Sequence, residues 1–310
     1  MVWSARSGPA ASSLIRSLLL VNLGTPAAPT PQAVRAYLAE FLSDPRVVKL
    51  PRWLWLPILY GIVLRTRPAK SAEKYAQIWT PEGSPLAVNT MRQAALLQET
   101  LGLPVRYAMR YGRPSVAAAL AGLEDPLVIP LYPQYAESTT DSVRDVVPPG
   151  VKMLESFHDH PAYIGALAAN VQRHWHKYGR GAVLVMSFHG LPKKNSQRYE
   201  TECRETAALL AQALGLKAPA WQVTFQSRFG YADWLQPYTE PTLVALAREG
   251  VKRVDVVCPG FVADCLETLE EIGITARHAF LAAGGDELYL MSCLNDSPEW
   301  ISALAQIARA

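Results

Sequence analysis

Two stretches of the sequence carry side chains suited to proton transfer or metal binding: VLVMSFHGLP, residues 183–192, and CPGFVADCLETLEEI, residues 258–272. In the first stretch an apolar run ends at His189, and Gly190 and Pro192 follow it. Such a run is typical of a buried strand that ends in a turn. The imidazole is therefore predicted to lie at the carboxyl end of a strand, where open α/β sheets bind their ligands. A core histidine that donates to a backbone carbonyl is the alternative interpretation.

The second stretch carries three carboxylates on a predicted helix. Glu267 and Glu271 share one helical face, and Glu270 lies beside them. Because these groups are like-charged and partly desolvated, at least one should have a raised pKa, which suits proton transfer near neutral pH. The stripe therefore indicates a path for protons or a cation. The structural alternative makes Asp264 a helix N-cap and Glu267 its capping-box partner.

Short apolar runs, separated by segments of helical periodicity such as PSVAAALAGL and TECRETAALLAQALGL, predict the strands that position these groups. The runs occupy residues 17–22, 105–108, 127–131, 182–187, 221–225 and 253–258. This alternation is the βαβ pattern of a mostly parallel sheet.

The second half of the chain repeats motifs of the first half in the same order. LLLVNLGTP is answered by VLVMSFHGLP, AMRYG by QSRFG, and LVIPLYPQY by VVCPGFVAD. This order indicates two similar α/β lobes with parallel sheets and a cleft between them. We expect an N-terminal lobe at 1–150, with an insertion at about 30–90, and a C-terminal lobe at 151–310 that carries His189 and Glu267.

Composition and charge exclude several classes of protein. The 310 residues are 50% hydrophobic, which is enough for well-buried cores. A net charge of +3 gives no polybasic surface for nucleic acid. The four cysteines form no C-x-x-C pair, which favours reduced thiols in the cytoplasm over a zinc site. No G-x-G-x-x-G follows any of the apolar runs, which disfavours a dinucleotide-dependent oxidoreductase.

The apolar run near the N-terminus imitates a signal peptide, but Asn22 interrupts it and no cleavage pattern follows, so we interpret it as the first strand. The stretch WLWLPILYGIVL, residues 53–64, falls short of the roughly 20 residues of a membrane-spanning helix. It is either a buried core helix or an exposed apolar lip that touches a membrane surface or an apolar ligand. We therefore expect a cytoplasmic protein whose only membrane contact is peripheral, at the inner face.

Seven motifs occur in order along the chain: NLGTP, YPQY, STT, SFHG, FQSRFG, WLQPYT and GF-x-AD-x-LETL. Together they resemble the ferrochelatase family over about residues 15–300. The resemblance implies that the two similar lobes are Rossmann-like and enclose a porphyrin cleft. It also implies insertion of Fe²⁺ into protoporphyrin IX to give protohaem, the last step of haem synthesis, with Fe²⁺ as substrate and no organic cofactor. The family's active-site histidine falls on His189 and its essential glutamate on Glu267, both expected to contact the metal. Glu271 and Glu270 then continue as a proton or metal path.

Which of His189 and Glu267 takes the pyrrole protons stays open, because imidazole and carboxylate can each accept a proton or hold a divalent metal. A cleft that binds a bent porphyrin better than a flat one would lower the barrier to metal insertion. The resemblance places porphyrin contacts at Leu23, Trp53, Leu54, Arg67, Tyr75, Ser84, Arg110, Tyr132 and Trp234. For Arg110, and for Arg228 in the matching motif, a buried salt bridge is an equal alternative to a cleft cation.

Leu23 bears on the choice of porphyrin. Relatives that resemble coproporphyrin chelatases typically have a tyrosine at this position. An apolar side chain suits protoporphyrin IX, whose cleft must satisfy two fewer carboxylates than that of coproporphyrin III. The sequence therefore predicts protoporphyrin IX as the substrate.

Several positions depart from the family pattern. The Gly-Asp-Pro-Tyr turn that usually follows FHGLP is missing, so the loop after Pro192 is shorter. Ala136 and Glu137 stand where cluster-bearing relatives have a cysteine, and no cysteine-bearing tail follows, so no iron–sulfur cluster is expected. Cys265 occupies a position held by His in some relatives, and its role is open.

Other functions are compatible with the same cleft. A noncatalytic tetrapyrrole carrier would need the cleft but not the carboxylate stripe. A chelatase for another metal, such as cobalt or nickel, or for coproporphyrin III, would have the same architecture. We expect the protein to be a monomer.

Overall fold

The computed structural model describes residues 15–228 and 232–310. Within these residues the strands form two separate four-stranded parallel sheets. The strands are β1 Ser17–Gly24, β2 Val105–Tyr111, β3 Pro126–Pro130, β4 Lys152–Met153, β5 Val183–His189, β6 Trp221–Gln226, β7 Arg253–Val257 and β8 Glu287–Leu290. The order β2-β1-β3-β4 in the first sheet is repeated as β6-β5-β7-β8 in the second, which confirms two similar α/β lobes.

The helices flank these sheets. They are α1 Pro31–Leu42, α2 Arg52–Ile58, α3 Leu64–Ile78, α4 Pro85–Leu101, α5 Val116–Leu120, α6 Ser142–Arg144, α7 Pro161–Tyr178, α8 Gln197–Ala213, α9 Thr239–Arg248, α10 Arg277–Ala282 and α11 Pro298–Ile307. Wider π-helical turns occupy Leu59–Val63, Glu137–Asp141 and Glu267–Ala276. The last of these runs directly into α10 and carries the predicted carboxylate stripe.

The six predicted strands are confirmed, with small shifts at their ends. In the central strand β1, Leu18 to Val21 are fully buried, because helices cover both faces of a parallel sheet and such strands are apolar without alternation. β4 and β8 lack a comparable apolar run. The lobe boundary near residue 150 stays a proposal, and the position of β4 in the first sheet favours a boundary just after Met153.

The first strand of the structure is the run that imitates a signal peptide, and the residues before position 15 lie outside the described part of the chain. No helix among the described residues has both the length and the hydropathy needed to span a bilayer.

Candidate active site

His189 is the last residue of β5, as predicted, and pairs in register with Gln226 at the end of β6. Its Nδ1 lies 2.7 Å from the carbonyl oxygen of Gly190. A carbonyl only accepts, so Nδ1 carries the proton and Nε2 of the neutral ring carries the lone pair. Tyr199 donates its hydroxyl to the carbonyl of His189 at 2.8 Å and holds the strand end in place. The hydrogen bond to a backbone carbonyl, which the core-histidine interpretation predicts, is therefore present. It leaves the lone pair on Nε2, where the ring can act as a base or a metal ligand.

The helix that follows β7 begins with a cap different from the predicted one. The hydroxyl of Thr268 accepts from the backbone N–H of Cys265 at 3.1 Å and donates to Asp264 at 3.1 Å. Asp264 also accepts from Asn295 Nδ2 at 2.7 Å. The predicted capping box of Asp264 with Glu267 is therefore wrong. Thr268, one residue further along the chain, takes the place of Glu267 and caps the first turn of the helix.

Glu271 is hydrogen-bonded to Ser227, the residue that follows β6. Its carboxylate accepts from the backbone N–H of Ser227 at 2.6 Å and from its hydroxyl at 2.5 Å. Burial raises the pKa of Glu271 and Glu267 raises it further, while Ser227 and His189 act in the opposite direction. The structure thus brings His189, Glu267 and Glu271 into one electrostatic neighbourhood, and one carboxylate has the raised pKa that the sequence predicts.

Glu270 has a different environment from the predicted path. It is buried, and it accepts from Lys74 Nζ of α3 at 2.8 Å and from Thr275 Oγ1 at 2.8 Å. The ion pair with Lys74 ties the π-helical turns to α3. Because one carboxylate oxygen is engaged in this ion pair and the other accepts from Thr275, we restrict the proposed path to Glu271.

The charge of Glu267 acts on three tyrosine hydroxyl groups of the fold. Burial raises the pKa values of Tyr37, Tyr75 and Tyr132, and the charge of Glu267 adds to each rise. The hydroxyl of Tyr132 is buried with no hydrogen-bond partner among the described residues. Tyr37, on α1, was not predicted as a site residue, and only the helical periodicity of α1 identifies it as inward-facing. The hydroxyl groups of these tyrosines are polar atoms in a region of the site whose other side chains are apolar.

An apolar wall joins four elements of the structure. Leu23 at the end of β1 and Tyr75 on α3 belong to one apolar cluster with Tyr37, and Leu266 and Leu269 of the carboxylate helix pack against it. Two predicted porphyrin contacts thus lie next to the helix that carries Glu267.

Ser84 joins the same region through hydrogen bonds. Thr25 donates its hydroxyl to the buried Ser84 at 2.8 Å. Thr25 also lowers the pKa of Tyr75 against the effect of burial, so Ser84 and Tyr75 share Thr25 as a neighbour.

Trp234 lies on the histidine side of the site. A Cβ atom at Gly190 would be 3.5 Å from its ring, and its Nε1 is buried without a partner among the described residues. The shortened loop after β5 pairs with this segment: Pro192 bridges to Trp234, and Lys193 donates to the carbonyl of Asp233 at 2.8 Å. These two contacts anchor the loop beside His189.

Arg110 is a salt-bridge partner. Its guanidinium lies 2.5 Å from Asp44 and donates to the carbonyl of Ser142 at 2.6 Å. Asp44 accepts in addition from the hydroxyl of Tyr111 at 2.9 Å. The expectation that Arg110 is a cleft cation is therefore wrong, because its charge is already neutralised within the fold. Arg228 is exposed and lies over the ring of Tyr238, 4.9 Å from its centroid.

Residues 53–64 combine both interpretations of the apolar stretch. Trp53 is 79% exposed and Leu54 is 42% exposed, whereas Trp55 and Leu59 are buried in the cluster that contains Tyr75. One face of this segment therefore belongs to the core and the other forms an exposed apolar lip. Arg67, one helical turn further on, is exposed.

The thiol of Cys265 is buried beside Glu267, and burial together with that carboxylate raises its pKa. No group of three or more His, Cys, Asp or Glu side chains in the described parts of the chain is arranged to hold a metal ion. Metal contact by His189 and Glu267 is accordingly a proposal.

Two solved structures share the overall architecture. CbiX, the terminal enzyme for biosynthesis of siroheme in denitrifying bacteria, superposes with a TM-score of 0.52 at 16% identity, covering 95% of this chain and 98% of CbiX. DR2241 from Deinococcus radiodurans, a multi-domain protein with structural similarity to chelatases, gives a TM-score of 0.53 at 13% identity, covering 95% of this chain and 55% of DR2241. The fold is that of the chelatases.

Sequence comparison narrows this class. The ferrochelatase family model matches residues 16–310. Ferrochelatases from Polaromonas sp. (strain JS666) and Azoarcus sp. (strain BH72) are 55% and 54% identical, covering 97% and 99% of this chain and 88% and 91% of the relatives. The chain belongs to the ferrochelatase family and is a metal chelatase.

Proposed function

We propose that this protein inserts Fe²⁺ into protoporphyrin IX and releases protohaem. The observation that carries the proposal is that Gln226, which pairs with His189, and Ser227 after it are hydrogen-bonded to Glu267 and Glu271. Metal insertion requires removal of two pyrrole protons and loss of water from the metal. An imidazole lone pair and two carboxylates supply the acceptors and the first contacts for such a reaction.

We assign the roles from the geometry. His189 presents Nε2 as the atom that accepts a pyrrole proton or contacts the metal, because Nδ1 is occupied by the Gly190 carbonyl. Glu267, whose charge acts on the three tyrosine hydroxyl groups, would be the carboxylate on the porphyrin side, and Glu271 would relay protons away from it. The raised pKa of Glu271 brings its carboxylate closer to the pH at which proton exchange is efficient.

The macrocycle would lie against the apolar wall of Leu23, Tyr75 and the lip. The unpartnered hydroxyl of Tyr132 and indole N–H of Trp234 are the buried polar atoms available to orient it. The exposed guanidinium of Arg67 suits a propionate at the outer edge.

Leu23 supports protoporphyrin IX over coproporphyrin III as the substrate. It packs in an apolar cluster, so a further propionate there would lose its hydration without gaining a partner. The ratio of kcat/KM for the two porphyrins, measured anaerobically for the native protein and for Leu23→Tyr, tests this assignment. We expect a preference for protoporphyrin that shrinks in the variant. A preference of the native protein for coproporphyrin would overturn it.

A carrier is distinguished from an enzyme by one measurement. Fe²⁺ is added anaerobically to catalytic amounts of the protein with excess protoporphyrin IX, and protohaem is followed by absorbance. Repeated turnover supports the proposal, whereas bound but unmetallated porphyrin would identify a carrier. Replacing Fe²⁺ by Co²⁺ or Ni²⁺ in the same assay tests the metal.

We further propose that the protein acts in the cytoplasm as a monomer and touches the inner face of the membrane through the lip. Trp53 and Leu54 are large apolar side chains at the surface, and Arg52 and Arg65 flank the segment with positive charge. This combination favours a peripheral contact with an anionic lipid surface.

A further inference from the structure

The two residues at the end of β6 contact the carboxylate helix at two successive turns. Gln226 donates from Nε2 to the backbone carbonyl of Glu267 at 2.6 Å. Ser227 donates its N–H and its hydroxyl to the carboxylate of Glu271 at 2.6 and 2.5 Å. The last residue of β6 therefore holds the backbone of Glu267, and the residue that follows the strand holds the side chain of Glu271.

The same strand end also holds the histidine side of the site. The carbonyl of Gln226 accepts from the N–H of Gly190 at 2.7 Å, and His189 pairs with Gln226 in the sheet. A Cβ atom at Gly190 would lie 2.6 Å from that carbonyl oxygen, so only glycine allows this approach. Gln226 thus contacts His189's strand through its backbone and Glu267's helix through its side chain.

Gln226 is fixed by its own partners. It is 4% exposed, and Oε1 accepts from Ser187 Oγ at 2.7 Å. Ser187 is hydrogen-bonded in turn to Thr239 at 2.8 Å, and Thr239 is hydrogen-bonded to Thr224 at 2.9 Å. This buried polar chain orients the amide so that its N–H group points to the Glu267 carbonyl.

Ser227 has a backbone conformation that a serine rarely adopts, with φ of 65°. In this conformation both of its donors reach one carboxylate. An unfavourable backbone angle that is retained beside candidate catalytic groups is a reason to look for a functional constraint.

We infer that Gln226 and Ser227 are positioning residues that set the placement of Glu267 and Glu271 relative to His189. The inference rests on the proposed function. It assigns no contact with porphyrin or metal to Gln226 or Ser227. Their effect on the reaction passes through the two glutamates.

Gln226→Met tests the first contact, since it keeps the length of the side chain and removes the donor to Glu267. We expect kcat for iron insertion to fall by about tenfold or more, as small displacements of reacting groups do. Porphyrin binding, measured by fluorescence, should be unchanged. Gln134→Met is the matched control, because it makes the same substitution at another buried glutamine, whose Nε2 donates to Thr206 at 3.0 Å, and it should leave kcat unchanged. Equal losses in the two variants, or a full kcat in Gln226→Met, would overturn the inference.

Ser227→Gly tests the second contact without depending on the first. Glycine tolerates the positive φ and keeps the N–H donor, so the fold is retained and only the hydroxyl is lost. We expect a lower kcat with unchanged porphyrin binding in the native background, and no further loss in the Glu271→Gln background. Additive losses would show that Ser227 does not act through Glu271.

Iron insertion by the native protein distinguishes a failure of the proposed function from a failure of the positioning role. If it inserts no iron into any porphyrin, the proposed function fails. If it does so and the variants at Gln226 and Ser227 turn over normally, the positioning role alone fails.

Discussion

Ser227 directs two hydrogen-bond donors at the carboxylate of Glu271, at distances of 2.6 and 2.5 Å. Burial nevertheless outweighs these bonds, and the pKa of Glu271 is raised from 4.5. A carboxyl whose pKa is raised by folding stabilises the protein below its ordinary pKa, and this contribution is lost as the pH rises through the folded value. The native protein therefore carries the ionised Glu271 at a loss of stability near neutral pH.

Glu271→Gln is expected to raise the melting temperature at pH above the folded pKa of Glu271 while it slows iron insertion. The amide keeps an acceptor for the N–H of Ser227 and is never ionised, so the gain should shrink as the pH falls towards about 4.5, the ordinary range of a glutamate. Thermal unfolding of both proteins across this pH range measures the effect. A variant that melts lower than the native protein at neutral pH would contradict the prediction.

Gly190→Ala is expected to destabilise the protein by about 1–3 kcal/mol, as overpacking does. The added Cβ would lie 2.6 Å from the carbonyl oxygen of Gln226, so the ends of β5 and β6 must move apart. Gly165→Ala in α7 is the matched control, because no described atom beyond its chain neighbours and the nearby backbone of its own helix lies within 4 Å of the added carbon. It should gain about 0.5–1 kcal/mol. Denaturant unfolding compares the two, and equal stabilities would refute the steric argument.

Replacing Trp53 and Leu54 together by Ser should change the free energy of unfolding by no more than about 0.5 kcal/mol per residue, since both side chains are exposed. Binding to anionic vesicles should weaken, as measured by co-sedimentation. Leu59→Ala, in the buried face of the same segment, should instead cost about 2–5 kcal/mol. A large loss of stability in the Trp53 and Leu54 variant would mean that the lip belongs to the core.

His174 predicts a pH dependence of stability away from the active site. Its ring contacts Tyr178 and Tyr289, with centroids 4.9 and 5.6 Å apart. Burial lowers its pKa, Asp255 opposes this and Arg253 adds to it. The neutral ring is favoured in the fold, so stability is full above the ordinary histidine pKa of 6.5 and decreases as the pH falls through the lowered value.

His174→Phe keeps a ring in this cluster and removes the ionisation. The native protein should therefore lose more stability than the variant between neutral and mildly acidic pH. Chemical unfolding of both proteins at several pH values provides the comparison. Parallel pH profiles would show that His174 does not contribute.

Much of the fold can be predicted because buried parallel strands are continuous apolar runs. β1 and β5 show this directly in the sequence, and the repeated motifs give the two-lobe arrangement. β4, with two residues, and β8, with four, pair at the edges of their sheets and leave no such signal.

Part of the candidate site can likewise be predicted from the sequence, and part cannot. His189 is predictable because a strand end places it, and Glu271 because helical spacing aligns it with Glu267. The ion pair of Lys74 with Glu270, and that of Arg110 with Asp44, join residues far apart in the chain, so only the tertiary structure decides which charges are neutralised.

Iron insertion by His189→Ala is the most direct test of the proposed site. Native protein and variant are each mixed anaerobically with protoporphyrin IX, Fe²⁺ is added, and the rate of protohaem formation is read from the absorbance spectrum. Porphyrin binding and thermal unfolding are measured on the same samples. The account predicts that the variant folds and binds porphyrin like the native protein but forms no protohaem above the uncatalysed rate. A folded variant with native turnover would contradict it.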